Sequence, residues 1–550
     1  MFFLFNKVYI LKKRLKIITI VLLGILIVLI IRLFYVQNKY NPVVSGSEVN
    51  NSIEKEEIGD YNYLLLDRNG KDLNEYRKKY KVAIDSRTFM LNSMNQNLEN
   101  FISFNYIMSE EVEDFNVEEI INLYGKYSYD VSEESYNKIK SLEGLKGIYA
   151  YEYDEKEDQD IWSIENMLMK EKGFNGYKNI DNYDKNENSL EGQIVKYTKD
   201  NKSTQIVFEK DIDGIYEEGQ YEIDKNNKNI RLTLDSDYQD IIRKVLSKDE
   251  YKDYENIGVA LVKGNTGEVL ALVQKDEKQA NIVTGAGSIS GFEPGSTFKI
   301  ITLEAAMKYN NVTPLDEYVC EGTLCKESNR HGKISVKRAM EVSCNNIFAK
   351  LGGDVGYDKL LKFAETQGYY NSVLNLDRET GMESIGVPAS AGSKGITAIG
   401  QGSLATPLQV VGMMSTIVND GKYIKPYILS GVESQDGKNI KSFSSKSVDT
   451  ISKHQADSIK YTLRESVLDG TGRRAGVEGV EIGGKTGTTE SNNDSSHGWF
   501  VGYFNLNGEY YNMVVFVPNI KGKNEEGQEM GGGNTAAPIF GDIVSELIKK

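Results

Sequence analysis

The chain has 550 residues, too long for one hydrophobic core and enough for about two to four domains. Its composition, 40% hydrophobic and 26% charged, is that of a globular protein. The net charge of −15 hides an asymmetry: residues 1–40 hold seven Lys or Arg and no acid, leaving −22 on the remainder, and such an acidic body argues against nucleic-acid binding, which needs clustered Lys and Arg.

Residues 17–36 are apolar except for Thr19, Gly24, Arg32 and Tyr35. At about 1.5 Å per residue they span about 30 Å, the hydrocarbon thickness of a bilayer, so one transmembrane helix is expected, with Arg32 snorkelling at its end. Lys12, Lys13, Arg14 and Lys16 precede it, and the positive-inside rule keeps residues 1–16 in the cytoplasm as a basic tail. The rest of the chain is then extracytoplasmic on a cell membrane. A cleaved signal peptide is the alternative, but its apolar core is typically about 7–15 residues and ends at small residues. Here the run leaves through Phe34-Tyr35-Val36-Gln37, as an uncleaved anchor would.

Residues 37–60 read as a polar linker. Residues 61–229 open with a strand at Tyr61-Asn62-Tyr63-Leu64-Leu65-Leu66 and the turn Asp67-Arg68-Asn69-Gly70. They turn helical between 86 and 147, where Val117, Ile120, Ile121 and Leu123 recur at helical spacing, and become Tyr-, Asn-, Asp- and Lys-rich from 148. No catalytic constellation falls in this stretch, so it reads as an α+β spacer or docking domain. Composition changes again at Asn229-Ile230-Arg231-Leu232-Thr233-Leu234-Asp235, where a second domain, 230–550, begins. Val259 to Val262 and Val269 to Val273 flank Gly264-Asn265-Thr266-Gly267 as a hairpin, and residues 499–518 form another around Asn507-Gly508. Residues 536–550 read as a closing amphipathic helix. Strands at both ends with helices between them indicate one antiparallel sheet flanked by helices, an α+β fold.

The chemistry centres on Glu293-Pro294-Gly295-Ser296-Thr297-Phe298-Lys299, a helix start before the apolar run Ile300, Ile301, Leu303, Ala305, Ala306 and Met307. Residues three apart share a helix face, so the Ser296 hydroxyl and the Lys299 amine can meet as a nucleophile with its own base, near backbone N–H groups suited to an oxyanion. The Ser-x-x-Lys pair alone is weak, since Ser52 to Lys55 and Ser135 to Lys138 repeat it. Ser343-Cys344-Asn345 follows 47 residues after Ser296, and Lys485-Thr486-Gly487-Thr488 follows 142 residues after Ser343. Ser-x-Asn recurs at Ser93, Ser135 and Ser491, but Lys-Thr-Gly occurs once, framed by Gly483-Gly484 and Thr488-Thr489, as in a strand that a ligand's backbone approaches closely.

This order of motifs resembles the class B penicillin-binding proteins, the monofunctional D,D-transpeptidases, whose superfamily carries the Ser-x-x-Lys, Ser-Asp-Asn and Lys-Thr-Gly set. Leu232-Thr233-Leu234-Asp235, Gly400-Gln401-Gly402 with Thr406-Pro407, and His497-Gly498-Trp499-Phe500 also match. Asp67-Arg68-Asn69-Gly70-Lys71 is similar to the family's N-terminal module. The resemblance implies a serine β-lactamase/transpeptidase-like domain at 230–550 behind an elongated, non-catalytic pedestal or dimerisation-like domain at 61–229. It implies that Ser296 is acylated by cell-wall stem peptides and by β-lactams, with Lys299 as base and Ser343 as proton relay. Asn345 would bind the substrate amide, and Lys485, Thr486, Gly487 and Thr488 the terminal carboxylate. The N–H groups of Ser296 and Thr488 would form the oxyanion hole. A membrane glycosyltransferase is the implied partner, and acyl transfer requires no cofactor. In this family pattern Cys344 stands where most members carry another residue, and a small packed side chain is expected there. Gln401 and Thr406 read as turn and helix-start residues, and Trp499 as core or site wall.

Cys320, Cys325 and His331 fall within 12 residues in a chain with three Cys and three His. They are candidate ligands of a structural zinc, with Asp316, Glu327 or Asp354 as the fourth. A Cys320–Cys325 disulfide, natural outside the cytoplasm, and two unpaired thiols are the alternatives. The functional alternative to an enzyme is a β-lactam sensor or non-catalytic wall-synthesis scaffold. A β-lactamase would need a dedicated deacylating base, and no residue in a matching context supplies one.

Overall fold

The computed structural model describes residues 23–29, 32, 53–58, 62–93, 98–122, 125–157, 159–170, 184–286, 288, 291–325, 330–380, 394–491, 495–524 and 527–550. Of the predicted anchor at 17–36, residues 23–29 and 32 are described and are helical; the rest lies outside the described residues. Among the described residues no helix is long and apolar enough to cross a membrane.

The chain folds into two compact units whose boundaries interleave in sequence. The smaller takes residues 78–155 and 203–223, with the segment before 60; the larger takes 60–77, 156–202 and 224–550. This differs from a division at 229–230, and the cause is local pairing. Leu65–Leu66 pairs in parallel with Ile230 and Arg231, so a strand expected in the N-terminal domain belongs to the larger unit. Asp67 then plugs the turn behind it. Its buried carboxylate accepts from the N–H groups of Asn69 and Lys71 and from the Ser236 hydroxyl at 2.8 Å. Burial alone would raise the Asp67 carboxyl, and these hydrogen bonds, led by Ser236, hold it below its ordinary value.

The smaller unit has two three-stranded sheets. One places β1 (Ile53–Ile58) beside β5 (Thr204–Glu209) and then β6 (Gln220–Glu222). The other places β2 (Tyr76–Asp85) between β3 (Lys126–Val131) and β4 (Ile148–Lys156). Helix α1 (Leu98–Glu111) buries Phe104 and Met108. Helix α2 (Glu133–Lys140) starts at Ser132, whose hydroxyl caps the N–H of Ser135. The region expected to be helical at 86–147 therefore also contains β3, where Tyr127, Tyr129 and Val131 alternate with polar residues at the period of a strand.

In the larger unit a five-stranded antiparallel sheet runs in the order β8–β7–β13–β12–β11. Strands β7 (Gly258–Lys263) and β8 (Val269–Gln274) form the first predicted hairpin, and β11 (Ile482–Ser491), β12 (Ser495–Leu506) and β13 (Glu509–Ile520) complete the sheet. The β12–β13 turn has Asn507 and Gly508 at φ 53° and 86°, the left-handed pair that a tight hairpin needs and that these two residue types supply most readily. Both sheet faces are covered, so alternate residues of β12 enter different cores. Trp499, Val501 and Tyr503 join one core with Val514 and Phe516. Phe500 and Phe504 join the other with Met513, Val515 and the last helix.

Helix α3 (Ser236–Leu246) lies on the second of these cores. Helix α4 (Lys299–Asn310) is buried on all sides from Lys299 to Met307, with Thr302 and Glu304 enclosed among Ile300, Ile301, Leu303, Ala305 and Ala306. Helix α5 (Asn345–Val355) packs beside it. Helix α6 (Pro407–Val418) begins with Thr406 as cap, a reciprocal bond with Gln409 and Pro407 in its first turn, the helix-start role expected of Thr406. Helices α7 (Lys453–Leu468) and α8 (Ala536–Leu547) close the unit. The net effect is to leave β11 as an edge strand, with one row of N–H and C=O groups unpaired by the sheet and facing the start of α4.

Candidate active site

The chain enters α4 through a 3-10 turn, Gly295–Phe298, that holds Ser296 half-buried at the helix mouth. This turn is braced by the loop expected to contribute only turn residues. The Gly295 N–H donates to the Gly400 carbonyl at 3.0 Å, and the Gly402 N–H donates to Glu293 Oε1 at 2.7 Å. A Cβ on Gly400 would lie 2.0 Å from the Gly295 carbonyl oxygen, so the approach admits only glycine.

Lys299 is fully buried, and its amine is the hub of the site. Nζ lies 3.0 Å from Ser296 Oγ, 3.0 Å from Ser343 Oγ, 2.8 Å from the Ser343 carbonyl and 2.7 Å from Asn345 Oδ1. Burial lowers its pKa to about 7, against the opposing pull of the Cys344 and Cys325 thiols. Ser343 reaches this place through a left-handed backbone at φ 57°, an uncommon conformation for a residue with a side chain. Lys485 approaches Ser343 from β11, with Nζ 2.9 Å from the same hydroxyl and 3.0 Å from the Thr486 carbonyl. It too is fully buried, and burial together with the charge of Lys299 holds its amine well below the ordinary lysine value. Two amines thus share one serine hydroxyl.

The structure brings together all eight residues expected at the site. Gly487 runs flush against the Gly295–Phe298 turn; a Cβ there would lie 2.8 Å from the Pro294 carbonyl oxygen and 3.0 Å from the Thr297 methyl. Thr488 is exposed, and its Oγ1 accepts the Gly532 N–H at 3.1 Å. Trp499, opposite Gly487 on β12, is core: its ring lies 4.1 Å from that of Phe516. One residue was not anticipated. Thr471, an exposed residue in the turn after α7, places Oγ1 2.7 Å from Thr486 Oγ1 and anchors its N–H on the Glu341 carbonyl. Nothing in its Gly-Thr-Gly context marks it, because its partner lies 15 residues away on a different element.

Next to Ser343 lies a second constellation. Strands β9 (Glu317–Cys320) and β10 (Gly332–Ser335) form a hairpin pairing Cys320 with Gly332, which carries Cys320, Cys325 and His331 to the start of α5. There they meet Cys344, and the four donor atoms all lie within 4.8 Å of one another. The Sγ atom of Cys325 lies 3.8 Å from that of Cys320 and 3.9 Å from that of Cys344. This corrects the expected fourth partner: Cys344 takes that place, Asp316 and Asp354 are not in the cluster, and Glu327 lies outside the described residues. All three cysteines are free thiols, so the Cys320–Cys325 disulfide is not formed. His331 Nδ1 is buried without a hydrogen-bond partner among the described residues.

Residues 257–545, more than half of the chain, match the family described as the penicillin binding protein transpeptidase domain. Among curated proteins, "Stage V sporulation protein D" of Bacillus subtilis (strain 168) is 29% identical over 586 residues, covering 97% of this chain and 85% of that protein. "Penicillin-binding protein PbpB" of Mycobacterium tuberculosis (strain ATCC 25618 / H37Rv) is 26% identical over 389 residues, covering 63% of this chain and 56% of that one. Among solved structures, a peptidoglycan synthetase from Bifidobacterium adolescentis ATCC 15703 has the same fold, with a TM-score of 0.61 at 18% identity over 90% of this chain and 96% of that one. The chain belongs to the class B penicillin-binding proteins. It is an acyl-transfer enzyme, and its larger unit carries the transpeptidase domain.

The hydroxyl pair of Thr471 and Thr486 gives a direct test. Thr471→Val keeps the shape and removes one hydrogen bond, so acylation by benzylpenicillin should slow by about five-fold with the melting temperature unchanged, the equivalent of about 1 kcal/mol. An unchanged acylation rate would remove Thr471 from the site.

Proposed function

We propose that the chain is a membrane-anchored peptidoglycan D,D-transpeptidase in which Ser296 is the nucleophile and Lys299 its base. The observation that carries the assignment is the Lys299 amine, buried, 3.0 Å from Ser296 Oγ and with its pKa lowered to about 7, so that much of it is neutral at physiological pH. In the reaction so read, Lys299 takes the Ser296 proton as Oγ attacks the carbonyl of the penultimate D-Ala of a stem peptide. The peptide bond to the terminal D-Ala breaks, and its amine leaves with a proton relayed through the Ser343 hydroxyl, which touches both lysines. An amine from a neighbouring stem peptide then attacks the acyl-enzyme and forms the cross-link.

The remaining groups act on charge. Asn345 Oδ1 orients the Lys299 amine, and its Nδ2 group donates to the Leu324 carbonyl at 3.2 Å, close to where a substrate amide would lie. The terminal carboxylate is taken by Lys485 with the hydroxyls of Thr486 and Thr488. Its arrival would restore to Lys485 the proton that burial disfavours. The unpaired edge of β11 favours an extended peptide lying alongside it, with the N–H groups of Ser296 and Thr488 stabilising the oxyanion. A β-lactam enters by the same acylation.

The basic tail before residues 17–36 and the apolar length of that segment support the anchor and an extracytoplasmic catalytic domain. A membrane glycosyltransferase is the partner this reading favours, since residues 41–229 carry no recognisable motif for polymerising the glycan strands that are cross-linked.

The cluster of Cys320, Cys325, His331 and Cys344 fits a structural zinc. Three thiolates and one imidazole are a standard tetrahedral donor set, and Zn–S bonds of about 2.3 Å require sulfurs about 3.8 Å apart, close to the 3.8 and 3.9 Å that separate Cys325 from Cys320 and from Cys344. When bound, the metal would supply no chemistry to the acyl transfer. Its four ligands would tie the hairpin to the residue between Ser343 and Asn345.

Two outcomes are expected. Ser296→Ala should abolish both penicillin labelling and the cross-linking of lipid-linked precursor, whereas a sensor or scaffold would label in the wild type yet cross-link nothing. Metal analysis of the purified chain should find about one zinc per molecule. Its removal by chelator should lower the melting temperature, and zinc-free protein of unchanged melting temperature would eliminate the metal site.

A further inference from the structure

The smaller unit, which holds none of the catalytic residues, contains a cleft of about 330 Å³. Its walls come from local structure. On α2, Tyr136 and Lys140 stand one helical turn apart and face the cleft with Asn137. Strand β4 supplies Tyr151 and Glu152, and the edge strand β6 supplies Tyr221. The connection into β6 sinks at Gly219, where a Cβ would lie 2.5 Å from the side chains of Ile206 and Phe208. A larger residue there would lift β6 off its core.

The lining combines aromatic faces with fixed polar groups. Tyr221 is 57% exposed, yet its hydroxyl is pinned to the Glu152 carbonyl at 2.9 Å, so the ring is held open to solvent at one place. Lys140 is anchored 3.0 Å from a Glu218 carboxylate oxygen and 3.4 Å from the Tyr136 hydroxyl. Asn137 is exposed, and its side-chain amide makes no hydrogen bond among the described residues. Rings with one wet edge, a free amide and carboxylates match a ligand with an apolar face and a rim of hydroxyl and amide groups. The volume is at the small end of the roughly 300–1,000 Å³ typical of ligand sites, the scale of a sugar or two. Glu152 is paired with Lys78 at 2.8 Å and Glu218 with Lys140 at 3.0 Å, so the lysines that a polyanion would need are already engaged, and a three-residue edge strand offers too little backbone to hold an extended peptide.

We infer that this cleft binds the N-acetylated glycan strand, with a pyranose against Tyr221 and an N-acetyl amide read by Asn137. The inference rests on the reading of the chain as acting on peptidoglycan, and it gives the smaller unit a grip on the polymer that carries the stem peptides. The probe is the tetramer of N-acetylglucosamine, which has no peptide and cannot engage Ser296, titrated into the full-length protein. Saturable binding is expected, weakened about ten-fold or more by Tyr221→Ala and by Asn137→Ala, and kept within about three-fold by Tyr221→Phe, which preserves the ring. Penicillin labelling should be equal in all four proteins. Absence of saturation up to about 10 mM tetramer, or wild-type affinity in both alanine variants, would overturn the inference. Loss of labelling in the wild type with tetramer binding intact would instead strike at the transpeptidase reading alone.

Discussion

The site depends on two buried amines converging on a single hydroxyl. Removing an ammonium from water is costly, and two of them side by side are more so, hence the protein lowers the cost by letting them lose charge. Around Lys299 the compensation is local: a carbonyl, an amide oxygen and two hydroxyls lie at 2.7–3.0 Å. The left-handed backbone of Ser343, the glycine-only contact of Gly400 with Gly295 and the close approach of Gly487 to Pro294 all serve to hold these atoms at that distance. Strain of this kind persists only where surrounding structure determines it, which is the service that the buried α4 and the doubly covered sheet perform.

The same arrangement explains why Cys344 is where it is. It lies between the serine and the asparagine that hold Lys299, and its side chain points away from them into the sulfur cluster. A ligand bound there would fix the backbone on both sides. The hairpin of β9 and β10 is also tied by Asn346, whose Oδ1 accepts the N–H groups of Leu324 and Cys325 at 2.8 and 3.2 Å. Leu324 in turn accepts from Asn345, so the hairpin and the Ser343–Asn345 segment form one connected set of contacts.

Much of this was legible in the sequence because it is local. The Asn507-Gly508 turn and the Thr406 cap are each decided by a few adjacent residues and form as read, while the helix start at Pro294 and Gly295 forms as a 3-10 turn that holds Ser296, with α4 beginning at Lys299. The three motifs could be assembled from order and spacing. What escaped was decided by tertiary closeness. Cys344 as the fourth member of the cluster, Thr471 beside Thr486 and the pairing of Leu65–Leu66 with Ile230 and Arg231 join residues that sequence keeps apart. Strand β3 was different: its alternation of tyrosine with polar residues was present, but it was submerged in a longer stretch of helical spacing.

The central claim is that Lys299 serves as base because its amine is neutral near physiological pH. The measurement that meets it most directly is the first-order rate of Ser296 acylation at saturating penicillin, whose bound carboxylate keeps Lys485 charged, across about pH 5.5 to 8.5, a range in which that carboxylate does not itself titrate. An amine titrating at about 7 is protonated and inert below that value and free to accept the serine proton above it. The rate should therefore rise with pH through a single inflection near 7 and level off beyond. A rate that does not change across this range, or one that falls as pH rises through 7, would contradict the account.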